Sequence, residues 1–193
     1  VSPRWPDQIG LRVNAGPVKG GGYLERKTRT YGTAPNQQQL TEFGGVLQLE
    51  ILKVGVYAIG ILSPDPFSLV LMMGVRFPTA IELSFGFTFN GVGGILALNH
   101  GFSQLLGSRV EDHIVDRMLL PDDPSIDGAP KLLDQLSGIF PPRDHGFVVG
   151  PSVELGWGSQ AKFVTIKIAV VLALPDPAVT ILGSVRIQAP SIQ

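Results

Sequence analysis

Apolar and polar residues alternate with a period of two over most of this chain, the spacing of strands rather than helices. In Ile81 to Phe89 the apolar Ile81, Leu83, Phe85, Phe87 and Phe89 alternate with Glu82, Ser84, Gly86 and Thr88, which predicts one strand with one buried face. Phe163 to Leu174 (FVTIKIAVVLAL) begins by alternating and then becomes apolar on both faces, as does Leu69 to Val75. Both read as strands in the middle of a covered sheet. Pro and Gly punctuate these runs at Ser63-Pro64-Asp65-Pro66, Pro121-Asp122-Asp123-Pro124, Pro141-Pro142 and Leu174-Pro175-Asp176-Pro177, places where a central strand cannot pass.

Two of these turns stand in the same context. Gly16-Pro17, Gly22-Tyr23, a long apolar run and Pro64-Asp65-Pro66 precede a strand with Val75-Arg76; Gly150-Pro151, Gly156-Trp157, a second apolar run and Pro175-Asp176-Pro177 precede a strand with Val185-Arg186. The recurrence predicts a weak internal repeat, residues 9–78 and 146–190, each copy a meander whose hairpin is closed by Pro-Asp-Pro. The first copy carries an additional polar segment, Arg26 to Thr41, read as an exposed loop. Between the copies the period lengthens. Leu106, Val110, Ile114 and Met118 recur at intervals of four in Ser103 to Leu120, and Leu132, Leu133, Leu136 and Ile139 mark a second helix from Ala129 or Pro130 to Ile139. The expected fold is therefore α+β: a mainly antiparallel β-sheet from two related meanders, with a two-helix insert (103–140) packed on one face, in a single domain spanning 1–193.

Composition sharpens this picture. Hydrophobic residues make up 44% and charged residues 16%, against a usual charged share of about 25%, so much apolar surface needs a cover. A formal net charge of −1 gives no basic footprint, and no nucleic-acid partner is expected. The most apolar region, Val54 to Val75, is broken by Ser63 to Pro66, so no transmembrane helix is expected. The chain has no initiating Met and no leader pattern, and reads as a piece of a larger protein. Cysteine is absent, which removes disulfides, thiolate ligands and Cys nucleophiles but leaves the compartment open.

Candidate chemistry is sparse. Gly91-Val92-Gly93-Gly94 follows a strand, as a phosphate cradle does, but Leu96 stands where GxGxxG has its third Gly, and no Gly-Lys-Ser/Thr follows. A bend or a close backbone approach is the stronger reading. Glu111, Asp112, His113 and Asp116 lack a further ligand, and Asp122, Asp123 and Asp127 lack the ligand spacing of a calcium loop. Ser103, Ser108, Ser152, His100, His113, His145 and Asp144 form no nucleophile motif, and Glu82 and Glu154 read as solvent-facing strand carboxylates. No catalytic residue, metal or cofactor is assigned. Phe85, Phe87, Phe89, Gly91, Gly93, Gly94 and Trp157 are the candidate ligand-binding residues, and Trp5 and Tyr23 extend the aromatic set; core or rim packing is the alternative for all of the aromatics.

FTFNGVGGILALNH (87–100), FPPRDHGFVVGPSVELGWG (140–158) and LALPDPAVTILGSVRI (172–187) together resemble an uncharacterised family of domains of unknown function found within very large β-rich microbial proteins. The resemblance runs through nearly the whole chain, and since its motifs carry no known activity it transfers nothing catalytic to this chain. Three functions remain open: a non-catalytic structural or assembly module meeting neighbouring domains or identical copies, a carrier of lipid or another apolar ligand between sheet and helices, and a hydrolase or metal enzyme using His100, His113 or His145.

Overall fold

A computed structural model describes residues 7–103, 128–158 and 163–188. The strands are β1 (Gln8–Ala15), β2 (Val18–Tyr31), β3 (Gln38–Ile51), β4 (Val54–Pro64), β5 (Phe67–Glu82), β6 (Phe87–His100), β7 (Pro142–Trp157), β8 (Val164–Leu174) and β9 (Ala178–Ile187); among the described residues one helix, α1 (Ala129–Ile139), stands between β6 and β7. All nine strands form one sheet in sequence order, and each neighbouring pair is antiparallel. The sheet is open, with β1 and β9 as its edges.

Short turns make this order possible. Ile51 pairs with Val54 across Leu52 and Lys53, whose φ values of 52° and 70° place both central residues in the left-handed region, the geometry that matches the twist of a two-residue hairpin. The two Pro-Asp-Pro segments close β4–β5 and β8–β9, where Pro64 pairs with Phe67 and Ala173 with Ala178. Both hairpins lie at the same end of the sheet.

Since side chains alternate across a strand, the register divides the sheet into two faces. On one face Gly44, Ile61, Val70, Ala97 and Val148 are successive cross-strand neighbours. Here α1 lies down through Leu132, Leu133, Leu136 and Ile139, and these join Val46, Ile59, Met72, Ala169 and Val171 in one core. Each fully buried Leu of the helix contributes about 1.5–3 kcal/mol. Gly44 admits the helix: a Cβ there would stand 2.8 Å from Leu133 Cδ1.

Among the described residues nothing packs on the opposite face, which is apolar. Ile9, Leu24, Gly45, Gly60 and Leu71 are successive neighbours across β1 to β5, and the row continues through Leu96, Val149, Leu172 and Val179 to β9. A parallel row from Val13 through Leu49, Val56, Val75 and Val92 to Ile168 is equally apolar. Adjacent residues therefore differ sharply in exposure, Met72 at 1% against Met73 at 51%, and Val171 at 1% against Val170 at 43%.

Several expectations change. Ile81 to Phe89 is a hairpin and not one strand: Ile81 pairs with Phe89 and Glu82 with Thr88 around a 3₁₀ turn at Ser84–Gly86. Phe85 and Gly86 there take φ values of 61° and 76°, so the alternation continues through a turn that Gly86 makes possible. Arg26 to Thr41 is the far half of the β2–β3 hairpin, with a turn only over residues 32–37 and Leu40 and Glu42 fully buried. Leu69 to Val75 and Phe163 to Leu174 supply β5 and β8 as expected, but they are buried on one face only. Helix 129–139 is present, whereas the expected helix over 103–120 lies almost wholly outside the described residues. Ile95 to Leu98, which follows the glycine run, continues β6.

Candidate functional site

The candidate ligand residues fall into two groups. Phe87 pairs across the sheet with Trp157, and the Trp157 indole Nε1 donates to the Phe85 carbonyl at 3.2 Å. Phe85 itself is 92% exposed, and Phe89 stacks edge-on against Phe77 with centroids 5.3 Å apart. These aromatics form an exposed rim at one end of β5–β7. Gly91, Gly93 and Gly94 lie within β6, in the middle of the sheet, where they pair with Glu154, Ser152 and Pro151. β6 runs on past them to His100, so they do not form the strand-to-helix turn of a phosphate loop.

Gly93, with Gly74 beside it on β5, makes room for a side chain. A Cβ at Gly93 would stand 2.7 Å from Ser152 Oγ and 2.8 Å from the Tyr57 hydroxyl, and one at Gly74 would collide with the Tyr57 ring. Tyr57 thus lies flat across two strands on the helix face, and burial pushes its pKa up. Beside it Arg76 pairs with Glu154 at 2.8 Å, and Glu154 is the cross-strand neighbour of buried Lys167. Glu154 is therefore a buried ion-pair member, contrary to the solvent-facing expectation, because it projects into the core side of β7.

A second charged cluster fastens the helix to the sheet. Arg29 pairs with Glu25 (3.1 Å), with Glu42 (2.8 Å) and with Asp134 of α1, and Lys27 also reaches Asp134 at 2.7 Å. The Tyr23 hydroxyl donates to Glu25 at 3.0 Å and the Tyr31 hydroxyl to Glu42. Burial pushes Glu42 above the usual carboxylate range, against the pull of Tyr31 and Arg29. Burial also acts on Asp134, but Lys27 and Arg29 outweigh it and hold Asp134 low. Burial, and then the Glu25 carboxylate beside it, raise the Tyr23 phenol to about 12. No sequence motif announces this clasp, although Glu25, Lys27, Arg29 and Tyr31 recur at every second position, the period of one strand face.

His100 is buried, with Nδ1 2.7 Å from the Phe140 carbonyl, and burial lowers its pKa. His145 and Asp144 instead line a cleft of about 330 Å³ with Ser68 and Asn99. Glu111, Asp112, His113, Asp116, Ser108, Asp122, Asp123, Asp127 and Trp5 lie outside the described residues. Among the described residues no three His, Asp or Glu side chains are grouped to hold a metal ion.

The space between α1 and the sheet is filled by the core. An apolar concavity lies on the other side: a trough of about 530 Å³ on the open face of β1 to β5. Gly22, Gly45 and Gly60 form its floor, and Leu24, Phe43, Leu47, Leu62 and Leu71 rise around it. A Cβ on Gly45 would stand 3.0 Å from Leu24 Cδ2. None of the seven candidate ligand residues lines this trough. The sequence signal for it was the spacing of those glycines on one face of three successive strands, visible only once the register is known.

A model of a protein family described as "Family of unknown function (DUF6603)" matches residues 1–193. No curated protein and no solved structure matches the chain. Among the described residues no helix is long and apolar enough to cross a membrane.

Proposed function

We propose that this chain, which belongs to the DUF6603 family of unknown function, is a non-catalytic structural or assembly module whose sheet is completed by neighbouring domains of a larger protein or by identical copies. The observation that carries this reading is the open apolar face. Nine strands at about 4.8 Å and four rows at about 6.7 Å give roughly 38 Å by 20 Å, on the order of 700 Å², more than the largest apolar patch of a typical monomer. The edges support it too. β9, Ala-Val-Thr-Ile-Leu-Gly-Ser-Val-Arg-Ile, carries no Pro and no Lys, two of the devices that keep an edge strand from pairing. The recurring Pro-Asp-Pro hairpins fit a sheet lengthened by duplication of one unit, 9–78 and 146–190. Sedimentation of the purified chain over a wide concentration range tests the reading: reversible self-association that Ile181→Lys at the β9 edge weakens is expected. A monomer at every concentration overturns it.

A second reading, a carrier of lipid or another apolar ligand, is favoured by the trough. It lies on the opposite face from the sheet–helix space in which such a ligand was expected, and its volume falls within the range of about 300–1,000 Å³ common to small-molecule sites. Native mass spectrometry of the chain, repeated after denaturation, tests this. Retained mass in the lipid range that is released by denaturation supports it, and bare protein from a lipid-containing host counts against it.

A further inference from the structure

The open face carries charge at one corner of its four central rows, where Arg26 stands with Asp7 opposite it. Arg26, Phe43, Leu62, Leu69, Leu98 and Phe147 are successive cross-strand neighbours, and Arg26 stands at the head of this row. Apart from Arg26 and Asp7, which stands opposite it on the β1 side, every side chain of the four rows, among the described residues, is apolar or glycine. Arg26 is exposed. It lies directly opposite Phe43 and two residues beyond Leu24, both walls of the trough. Its backbone N–H donates to the Asp7 carbonyl at 2.8 Å, and its guanidinium forms no ion pair among the described residues.

We infer that the trough holds the hydrocarbon chain of a long-chain fatty acid, with the carboxylate on Arg26; this rests on the apolar-ligand reading above. Three features select this occupant. The strands around the trough spend their backbone N–H and C=O groups on the sheet ladders, so a peptide strand laid in it finds no partners for its own, at a cost of several kcal/mol for each group left dry. A helix, about 10–12 Å across with its side chains, rides on the leucine ridges and leaves the glycine floor empty, forfeiting contacts. A methylene chain has no polar groups and is thin enough to reach Gly45 and Gly60. From β2, where Arg26 stands, to β5 the trough crosses three strand spacings, about 14 Å, close to the length of a chain that spans one leaflet of a bilayer core, about 15 Å. The guanidinium then supplies a charge-assisted, bidentate partner for a carboxylate at the end of that path.

The test is native mass spectrometry and fluorescence titration of the full chain with cis-parinaric acid, oleate and its neutral counterpart oleyl alcohol, with circular dichroism melts to confirm folding of each variant. Oleate is expected to bind one to one and to displace cis-parinaric acid. Arg26→Gln is expected to weaken oleate about tenfold and leave oleyl alcohol unchanged, and Arg26→Glu to weaken oleate further. Gly45→Leu, which fills the floor next to the flexible Leu24, is expected to abolish binding of both. Equal binding of oleate and oleyl alcohol, unmoved by either Arg26 variant, overturns the carboxylate site while leaving an apolar-ligand carrier standing. Undiminished binding by folded Gly45→Leu overturns the trough as the location. If neither oleate nor oleyl alcohol binds the wild-type chain, this inference and the apolar-ligand reading fall together.

Discussion

Replacing Arg29 with Met separates what holds α1 to the sheet from simple apolar packing. The substitution keeps a long stem and removes the guanidinium. It leaves Glu25 and Glu42, whose side chains are 4% and 2% exposed, with only the Tyr23 and Tyr31 hydroxyls as partners. Removing one member of a buried ion pair costs about 3–5 kcal/mol, because the remaining charge stays desolvated. Asp134 adds little to this sum, since it is half exposed and retains Lys27, and pairs of that kind contribute about 0–1 kcal/mol. For a chain of this length 1 kcal/mol corresponds to about 2–4 °C in Tm, so a fall of about 6–20 °C is expected. Urea unfolding followed by circular dichroism gives the free energy directly. The triple variant Arg29→Met/Glu25→Gln/Glu42→Gln is expected to recover more than half of the loss, because no unpaired charge then remains buried. A cost below about 1 kcal/mol for Arg29→Met, or a triple variant no more stable than the single one, refutes the clasp as described.

Other substitutions test other parts of the fold. Leu133→Ala empties a fully buried site between α1 and Gly44 and is expected to lower unfolding free energy by about 2–5 kcal/mol; a loss under 1 kcal/mol in urea means the helix is not seated there. Gly93→Ala drives a methyl into Ser152 and Tyr57 and is expected to cost about 1–3 kcal/mol, whereas Gly138→Ala, in the last turn of α1 with open space around it, is expected to add about 0.5–1 kcal/mol; thermal melts that rank the two the other way contradict the packing. Burial holds His100 neutral with its pKa below 6.5, so the unfolded chain takes up a proton on this residue first. Its stabilising contribution is complete above about pH 6.5 and is lost as pH falls toward the lowered folded pKa. Urea midpoints of His100→Asn between pH 8 and pH 5 should lack the part of the acid decline that His100 gives the wild type, and parallel profiles argue against a neutral buried His100.

The strands were legible because their signal is local. Period-two alternation and the Pro-Asp-Pro turns mark β4, β5, β8 and β9, and the four-residue spacing of Leu132, Leu136 and their neighbours marks α1. Ile81 to Phe89 misled because a 3₁₀ turn with Phe85 and Gly86 at positive φ preserves the alternation through the reversal. Arg26 to Thr41 misled because charged residues on a strand look like a loop until the helix that covers them is placed; Lys27 and Arg29 meet Asp134 only through contacts more than a hundred residues apart in the chain. Of the β6 glycines Gly93 is a place of close approach, but the side chain that approaches, Tyr57, comes from β4 and leaves no trace near it in the sequence. The trough was beyond reach for a similar reason. Gly22, Gly45 and Gly60 become neighbours only through the pairing of β2, β3 and β4, and apolar strands by themselves do not say which of their faces is left open.

The central claim, a sheet buried on one face and bare on the other, is tested most directly by single-cysteine labelling, for which a chain without native cysteine is suited. The adjacent pairs Met72/Met73 and Val171/Val170 are changed one residue at a time to Cys, and the rate of reaction with a water-soluble maleimide is measured in dilute, native chain and again in urea. Met73→Cys and Val170→Cys are expected to react in the native state as fast as in urea, while Met72→Cys and Val171→Cys react only on unfolding. Protection of both members of each pair, or protection of Met73 and Val170 instead of their neighbours, contradicts the open face on which the proposed assembly and ligand roles depend.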